Sequence, residues 1–169
     1  MEPVVEFDGR YSSPEASATP WTEVLEEIAR AEVFWLATVR PDGRPHVTPL
    51  IAVWHGDAVY FTTGAGERKA ANLRANDRCA LTTGTNTLRG LDVIVDGPAR
   101  LVEDPAERDG AASAFEAKYG ARLTSPDGTW AGMGDTIRAG GVGLYRVAPA
   151  VVHAFAKGEV FAQTRYRFG

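Results

Sequence analysis

The sequence predicts a small antiparallel β-barrel with short helices at its rim. Three observations lead there. Apolar, β-branched and aromatic residues gather in about six runs of strand length. The early runs are joined by turns so tight that only antiparallel pairing can follow, which disfavours a doubly wound βαβ sheet. Only two or three stretches switch to helical spacing, so helices decorate the sheet rather than cover it.

The elements follow in order. Residues 1–20 hold three prolines and a small-residue stretch from Ser12 to Thr19. They are expected to form an extended or partly disordered arm, docking only where a partner surface exists. Residues 21–169 are expected to be one domain that includes the C-terminal tail. Thr19-Pro20 reads as a helix start, with a capping hydroxyl before a proline. Val24, Leu25, Ile28 and Ala29 then make an apolar stripe opposite Glu23, Glu26, Glu27 and Arg30. Strands are expected over 33–39, 46–54 and 58–63, divided by Pro41-Asp42-Gly43 and His55-Gly56-Asp57, as a meander. Gly64-Ala65-Gly66 breaks the pattern, and a short helix over 67–75 ends at Asn76-Asp77. Strands over 78–83 and 92–102 come next. A helix follows from 106 to 119, with Ala111, Ala112, Phe115 and Tyr119 on one face.

Residues 120–141 are glycine-rich and long for a passive connection, which suggests a mobile loop or a functional lid, with Trp130 either a hydrophobic plug or part of a substrate-site lid. The last long strand, 142–155, contains Pro149, which restricts pairing there. The tail from Phe161 to Phe168 alternates. Gln163, Arg165 and Arg167 share one face of it, and Ala162, Thr164, Tyr166 and Phe168 the other, as in an edge strand. Alternatively Lys157, Arg165 or Arg167 reaches an anionic ligand.

Composition excludes several functions. The 169 residues are 44% hydrophobic and 24% charged, an ordinary globular balance. A net charge of −4 argues against nucleic-acid binding, which needs a basic surplus or stripe. No apolar run approaches the roughly 20 residues of a membrane span. The first residues lack the basic start and apolar stretch of a secretory signal. The single Cys79 cannot form an internal disulfide, which suits a reducing, cytoplasmic setting, and its apolar strand suggests an inert buried thiol. His46, His55 and His153 have no metal-ligand spacing with one another or with Cys79, so no metal site is expected. Nothing resembles a nucleophile elbow. Residues 64–69 fail the P-loop pattern, because no glycine precedes Lys69 and no Ser or Thr follows it.

What remains is a strand ending in Tyr60-Phe61-Thr62-Thr63, a glycine turn, and a helix opening with Arg68-Lys69. A helix start offers unpaired N–H groups and a positive dipole end to phosphate. Arg68 adds a planar fork, Lys69 a mobile charge and Thr62 or Thr63 a hydroxyl. The residues by themselves favour a solvated basic pair on a surface helix, its charge partly cancelled by Glu67.

In order, Phe34–Pro45, His46-Val47-Thr48-Pro49-Leu50, Val59–Thr63, Arg68–Asn76 and Leu144–Pro149 resemble the flavin-binding split barrel of the pyridoxamine 5'-phosphate oxidase superfamily. The resemblance implies a six-stranded antiparallel split β-barrel of Greek-key type with peripheral helices. It implies that Arg68 and Lys69 clamp the cofactor phosphate, helped by Thr62 or Thr63. Val47, Thr48, Pro49 and Leu50 would line the isoalloxazine or deazaflavin ring with backbone groups. The oxidases' Arg-x-His substrate grip has no counterpart in Asp135–Gly141, so pyridoxamine 5'-phosphate oxidation itself is not implied. An extra residue between Thr63 and Arg68, and the tail beyond Pro149, are similar to the branch that includes reductases using the deazaflavin coenzyme F420. The expected cofactor is therefore FMN or coenzyme F420. The expected activity is hydride transfer to or from a small organic substrate, by a homodimer with its cofactor near the interface. The rival reading is a non-catalytic carrier or sensor of flavin or tetrapyrrole on the same fold. No side chain stands out as a catalytic acid or base, which suits chemistry carried by a cofactor.

Overall fold

The computed structural model describes residues 2–123 and 132–169, with side chains for 2–120 and 132–169. Among these, strands β1 (Val4–Phe7), β2 (Phe34–Val39), β3 (Pro45–Leu50), β4 (Ala52–His55), β5 (Ala58–Thr63), β6 (Arg78–Gly84), β7 (Gly90–Leu101), β8 (Gly143–Val147), β9 (Val151–Lys157) and β10 (Ala162–Arg167) are joined by α1 (Trp21–Arg30), α2 (Arg68–Ala75), α3 (Pro105–Leu123) and α4 (Met133–Arg138). All strand pairs are antiparallel. The larger sheet runs β1-β10-β9-β7-β6-β2-β3. A second group, β4-β5-β8, joins it through β7.

The ten strands correct the expected six, for three physical reasons. The run 46–54 turns a corner at Ile51, so β3 and β4 lie in different parts of the barrel and the expected meander is not formed. The run 142–155 breaks at Ala148-Pro149-Ala150, because a proline cannot donate to a ladder. The N-terminal arm, expected to be loose, docks on the chain's own tail. Val4 to Phe7 pair with Arg167 to Thr164, and the Ser13 N–H reaches the Phe161 carbonyl at 2.9 Å. The tail is therefore an interior strand and not an edge, although its predicted two faces are observed.

The core fills the space between the two parts of the barrel. Phe34, Leu36, Leu81, Val93, Val95, Val152 and Tyr166 meet Val59, Phe61 and Val147, all essentially buried. Helix α1 closes one end with Val24 and Ile28. Its buried stripe also takes Glu27, which pairs with Arg30, while Ala29 faces solvent. The stripe is rotated because Trp21 packs on Trp54, Tyr166 and Phe168, with ring centroids 5.8, 5.0 and 5.4 Å away. Thr19 does not cap this helix. Its N–H goes to Thr164 Oγ1 at 2.9 Å and its carbonyl accepts the Tyr166 hydroxyl, so Pro20 holds the cap position without a side-chain bond.

A second core lies outside the barrel, where α3 and α4 cover β4, β5 and β8. Ala111, Ala112, Phe115, Tyr119 and Ile137 pack there on Val53, Tyr60 and Leu144. Strand β5 is thus covered on both faces, which explains its unbroken apolar sequence. The expected loop 120–141 contains the end of α3 and all of α4. Trp130 lies outside the described residues. Gly43, at φ 83°, supplies the left-handed backbone that turns β2 into β3. Gly97 has a different task. Strand β7 passes there from one part of the barrel to the other, and a Cβ would sit 2.1 Å from the Ala148 carbonyl oxygen.

Candidate functional site

Strand β5 delivers Thr62 and Thr63 to the end of the barrel, and the 64–67 turn then hands the chain to α2. Helix α2 is seated by buried residues of its own. Ala70 and Leu73 pack inward, and the buried Asn72 donates to Thr38 Oγ1 of β2 at 3.0 Å. This seating points Lys69 into the protein, where it is only 8% exposed. Arg68, one residue earlier, remains on the surface and makes no hydrogen bond or ion pair with a described residue.

Beside Lys69 lies a groove of about 450 Å³. Val33, Pro49, Leu50, Ile51 and Val142 form its apolar wall, and Thr62, Thr63, Gly64, Glu67 and Lys69 its polar end. Its size falls in the range of small-molecule sites, roughly 300–1,000 Å³. Of the residues predicted to form a site, Pro49, Leu50, Thr62, Thr63 and Lys69 come together here. Val47 and Thr48 lie further along β3, with Val47 on the outer face of the sheet at 56% exposure. Arg68 is exposed and does not line the groove.

The polar end is an anion cradle holding the protein's own carboxylate. Glu67 accepts the Gly64 N–H at 2.7 Å and the Thr63 hydroxyl at 3.1 Å on one oxygen, and the Lys69 ammonium on the other. The Lys69 bond, with smaller help from Gly64 and Thr63, holds the Glu67 carboxyl below the usual carboxylate range. These donors together hold a carboxylate, so the set fits an anionic group. The neighbouring wall suits a flat apolar ring. Ile51, Val33 and Val142 had no distinguishing sequence signal. They are ordinary strand residues brought together by the corner at Ile51 and by the return of the chain to β8.

The other candidates are absorbed structurally. Cys79 is buried beside the Gly97 carbonyl, and burial pushes its thiol up to about 12. Lys157 bonds the Thr85 and Thr87 carbonyls and Asp92, while Arg165 and Arg167 share Glu6. Among the described residues no group of three or more His, Cys, Asp or Glu side chains is placed to hold a metal ion. No described helix is long and apolar enough to cross a membrane.

The strands define an antiparallel split barrel with a groove at one end, and comparison with known proteins agrees on the class. Residues 21–150 match the family model described as pyridoxamine 5'-phosphate oxidase, so the chain belongs to that family. No curated protein matches it significantly. Solved structures share the fold at low identity. A conserved hypothetical protein of Mycobacterium tuberculosis is 20% identical, with 82% of this chain and 86% of that one covered and a TM-score of 0.69. A FAD-binding protein of Mesorhizobium loti is 18% identical, with 98% and 99% covered and a TM-score of 0.60. The heme storage protein HutZ of Vibrio cholerae is 21% identical, with 81% and 94% covered and a TM-score of 0.62.

Proposed function

We propose that this chain is a flavin- or deazaflavin-dependent oxidoreductase, holding FMN or coenzyme F420 and passing a hydride to or from a small organic substrate. One observation carries the reading. The Thr63, Gly64 and Lys69 donors converge on a carboxylate at the end of an apolar groove, in a chain of a family named for a flavin-type oxidase. When bound, the cofactor supplies the hydride chemistry. The chain's own residues bind and orient it. Lys69, Thr63 and the Gly64 N–H would hold its phosphate once Glu67 withdraws, and Arg68 would close over it from the surface. Pro49, Leu50 and Ile51 would hold the ring and keep water from it.

The same reading includes a second copy of the chain. Across β2 and β3, Trp35 faces Pro49, Ala37 faces Val47 and Val39 faces Pro45. This makes a wholly apolar outward patch in which Trp35 is 52% and Val47 56% exposed. Pro49 belongs to both the patch and the groove, so a partner seated there would border the cofactor. A cytoplasmic setting accords with a buried, unpaired Cys79.

The test is mass spectrometry of the cofactor retained after expression in a host making both FMN and F420. Recovery of either supports the reading. Absence of both, together with no affinity tighter than millimolar on titration, overturns it.

A second reading, a non-catalytic carrier, is favoured by one observation. Glu67 and Lys69 are the only titratable side chains described in the groove, and each is engaged by the other. Reoxidation of bound reduced cofactor on adding quinone or tetrapyrrole acceptors separates the two. Faster reoxidation supports the oxidoreductase, and an unchanged rate supports the carrier.

A further inference from the structure

We propose that a hollow between the N-terminal arm and the outer face of β9 and β10 is a second small-molecule site, suited to a planar aromatic carboxylate. It encloses about 470 Å³ and shares no lining residue with the groove beside Lys69. In the sheet order it lies at the end opposite β3, with β7, β6 and β2 between.

Its floor is flat and aromatic. His153 and Phe155 alternate onto the same face of β9, and their rings lie 6.2 Å apart and 18° from parallel. A planar ring can lie over such a pair. Two polar groups stand beside the floor on β10. Gln163 faces Phe155 and Arg165 faces His153 across the ladder. The Gln163 backbone is used, its N–H by Ser12 and its carbonyl by Asp8, but its side-chain amide has no hydrogen bond to a described residue. The wall opposite is the arm, fixed by those same backbone bonds, with Phe7 and the Asp8-Gly9-Arg10 turn facing the cavity.

The charges around the hollow are balanced in number, and one cation among them is left loosely held. Glu6 serves two guanidiniums, Arg167 at 3.0 Å and Arg165 at only 3.4 Å, which leaves Arg165 the less satisfied. Asp8 spends its direct bonds on Arg10, at 2.9 and 2.8 Å, and reaches Arg165 only through its longer-range charge. Asp96 faces His153 at 3.7 Å. Three carboxylates are thus set against three arginines and a histidine, and the loosest fork points at the cavity. A guanidinium in that state takes a carboxylate through paired bonds, while the Gln163 amide adds a neutral one.

The experiment titrates benzoate into the full-length protein and follows backbone amides by NMR. Benzamide supplies the ring without the charge, and acetate the charge without the ring. Saturable shifts are expected at residues 6–10, 153–155 and 163–165, with benzoate the tightest of the three. Arg165→Met should weaken benzoate binding by roughly tenfold or more, and Lys69→Ala should leave it unchanged. If Arg165→Met detaches the arm, Gln163→Leu decides, because it leaves the Glu6 pair intact. A several-fold loss there supports the site, and unchanged affinity overturns it. Equal binding of benzamide or acetate, or shifts that map elsewhere, also overturns it. Because Lys69→Ala impairs only the groove, failure here is distinguishable from failure of the proposed flavin site.

Discussion

The Glu67 carboxylate closes on the Lys69 ammonium two residues later, and in doing so also occupies the Gly64 N–H. In the proposed function, a ligand phosphate would displace this internal carboxylate before it gained Lys69.

Lys69→Ala removes the one buried cation of the cradle. A hydrogen bond to a charged partner is worth about 1.5–3 kcal/mol, so FMN or F420 affinity should fall roughly ten- to a hundred-fold. Arg68→Lys should weaken binding less, since Arg68 starts at the surface and keeps its charge. Titration of both cofactors at fixed ionic strength checks this. Unchanged affinity in both variants would leave Lys69 as a structural partner of Glu67 alone and Arg68 as a surface charge.

Glu67→Gln should tighten cofactor binding by about three- to tenfold, because it removes a like charge from beside the phosphate. The same pair predicts a pH effect on folding. A carboxyl held below its usual range contributes stability above that range and loses it as acid takes the pH below. The difference in Tm between the wild type and Glu67→Gln should therefore shrink on acidification below about pH 5. The effect is small, since Glu67 is half exposed. A gap that widens in acid would contradict the assigned contact.

Trp35→Asp and Val47→Asp place a charge in the apolar patch across β2 and β3. Each should convert a dimer to monomer in sedimentation while leaving the circular dichroism of the fold unchanged. A wild type that is monomeric at micromolar concentration with cofactor bound would dispose of the dimer.

Gly97→Ala puts a methyl group against the Ala148 carbonyl where β7 changes sides of the barrel. Backbone must move, at a cost of about 1–3 kcal/mol. Urea denaturation should show a lower midpoint with an unchanged slope. An unchanged midpoint would mean that the corner yields freely.

Lys118 donates to the Ile28 and Ala52 carbonyls at 3.0 Å each, and burial brings its pKa down to about 8. Between that value and the ordinary lysine range the unfolded chain binds the extra proton, so stability should rise with pH there. Wild type should gain on Lys118→Met between about pH 8 and 10. Parallel stability curves for the two proteins would refute the assigned titration.

Local patterns in the sequence already determined much of this protein. The β-forming run over 33–39, the alternation in 162–167, helical spacing at Ala111, Ala112, Phe115 and Tyr119, and the Asp42-Gly43 turn are nearest-neighbour effects, legible without the rest of the chain. So was the Thr63–Lys69 element, because a strand end, a glycine turn and a basic helix start occur within a few residues. Tertiary structure decided the rest. The arm looked loose because a lone strand is unstable until β10 offers it a ladder. The meander failed because the corner at Ile51 is set by where the second part of the barrel must pack, and Glu27 was buried because Trp21 turned α1 toward the tail. The groove needed Val33, Ile51 and Val142 side by side, and residues more than a hundred positions apart meet only when the barrel closes. Glu67 could be read as a neighbouring charge, but its role as occupant of the cradle depends on a backbone turn that aims Gly64, Thr63 and Lys69 at one point.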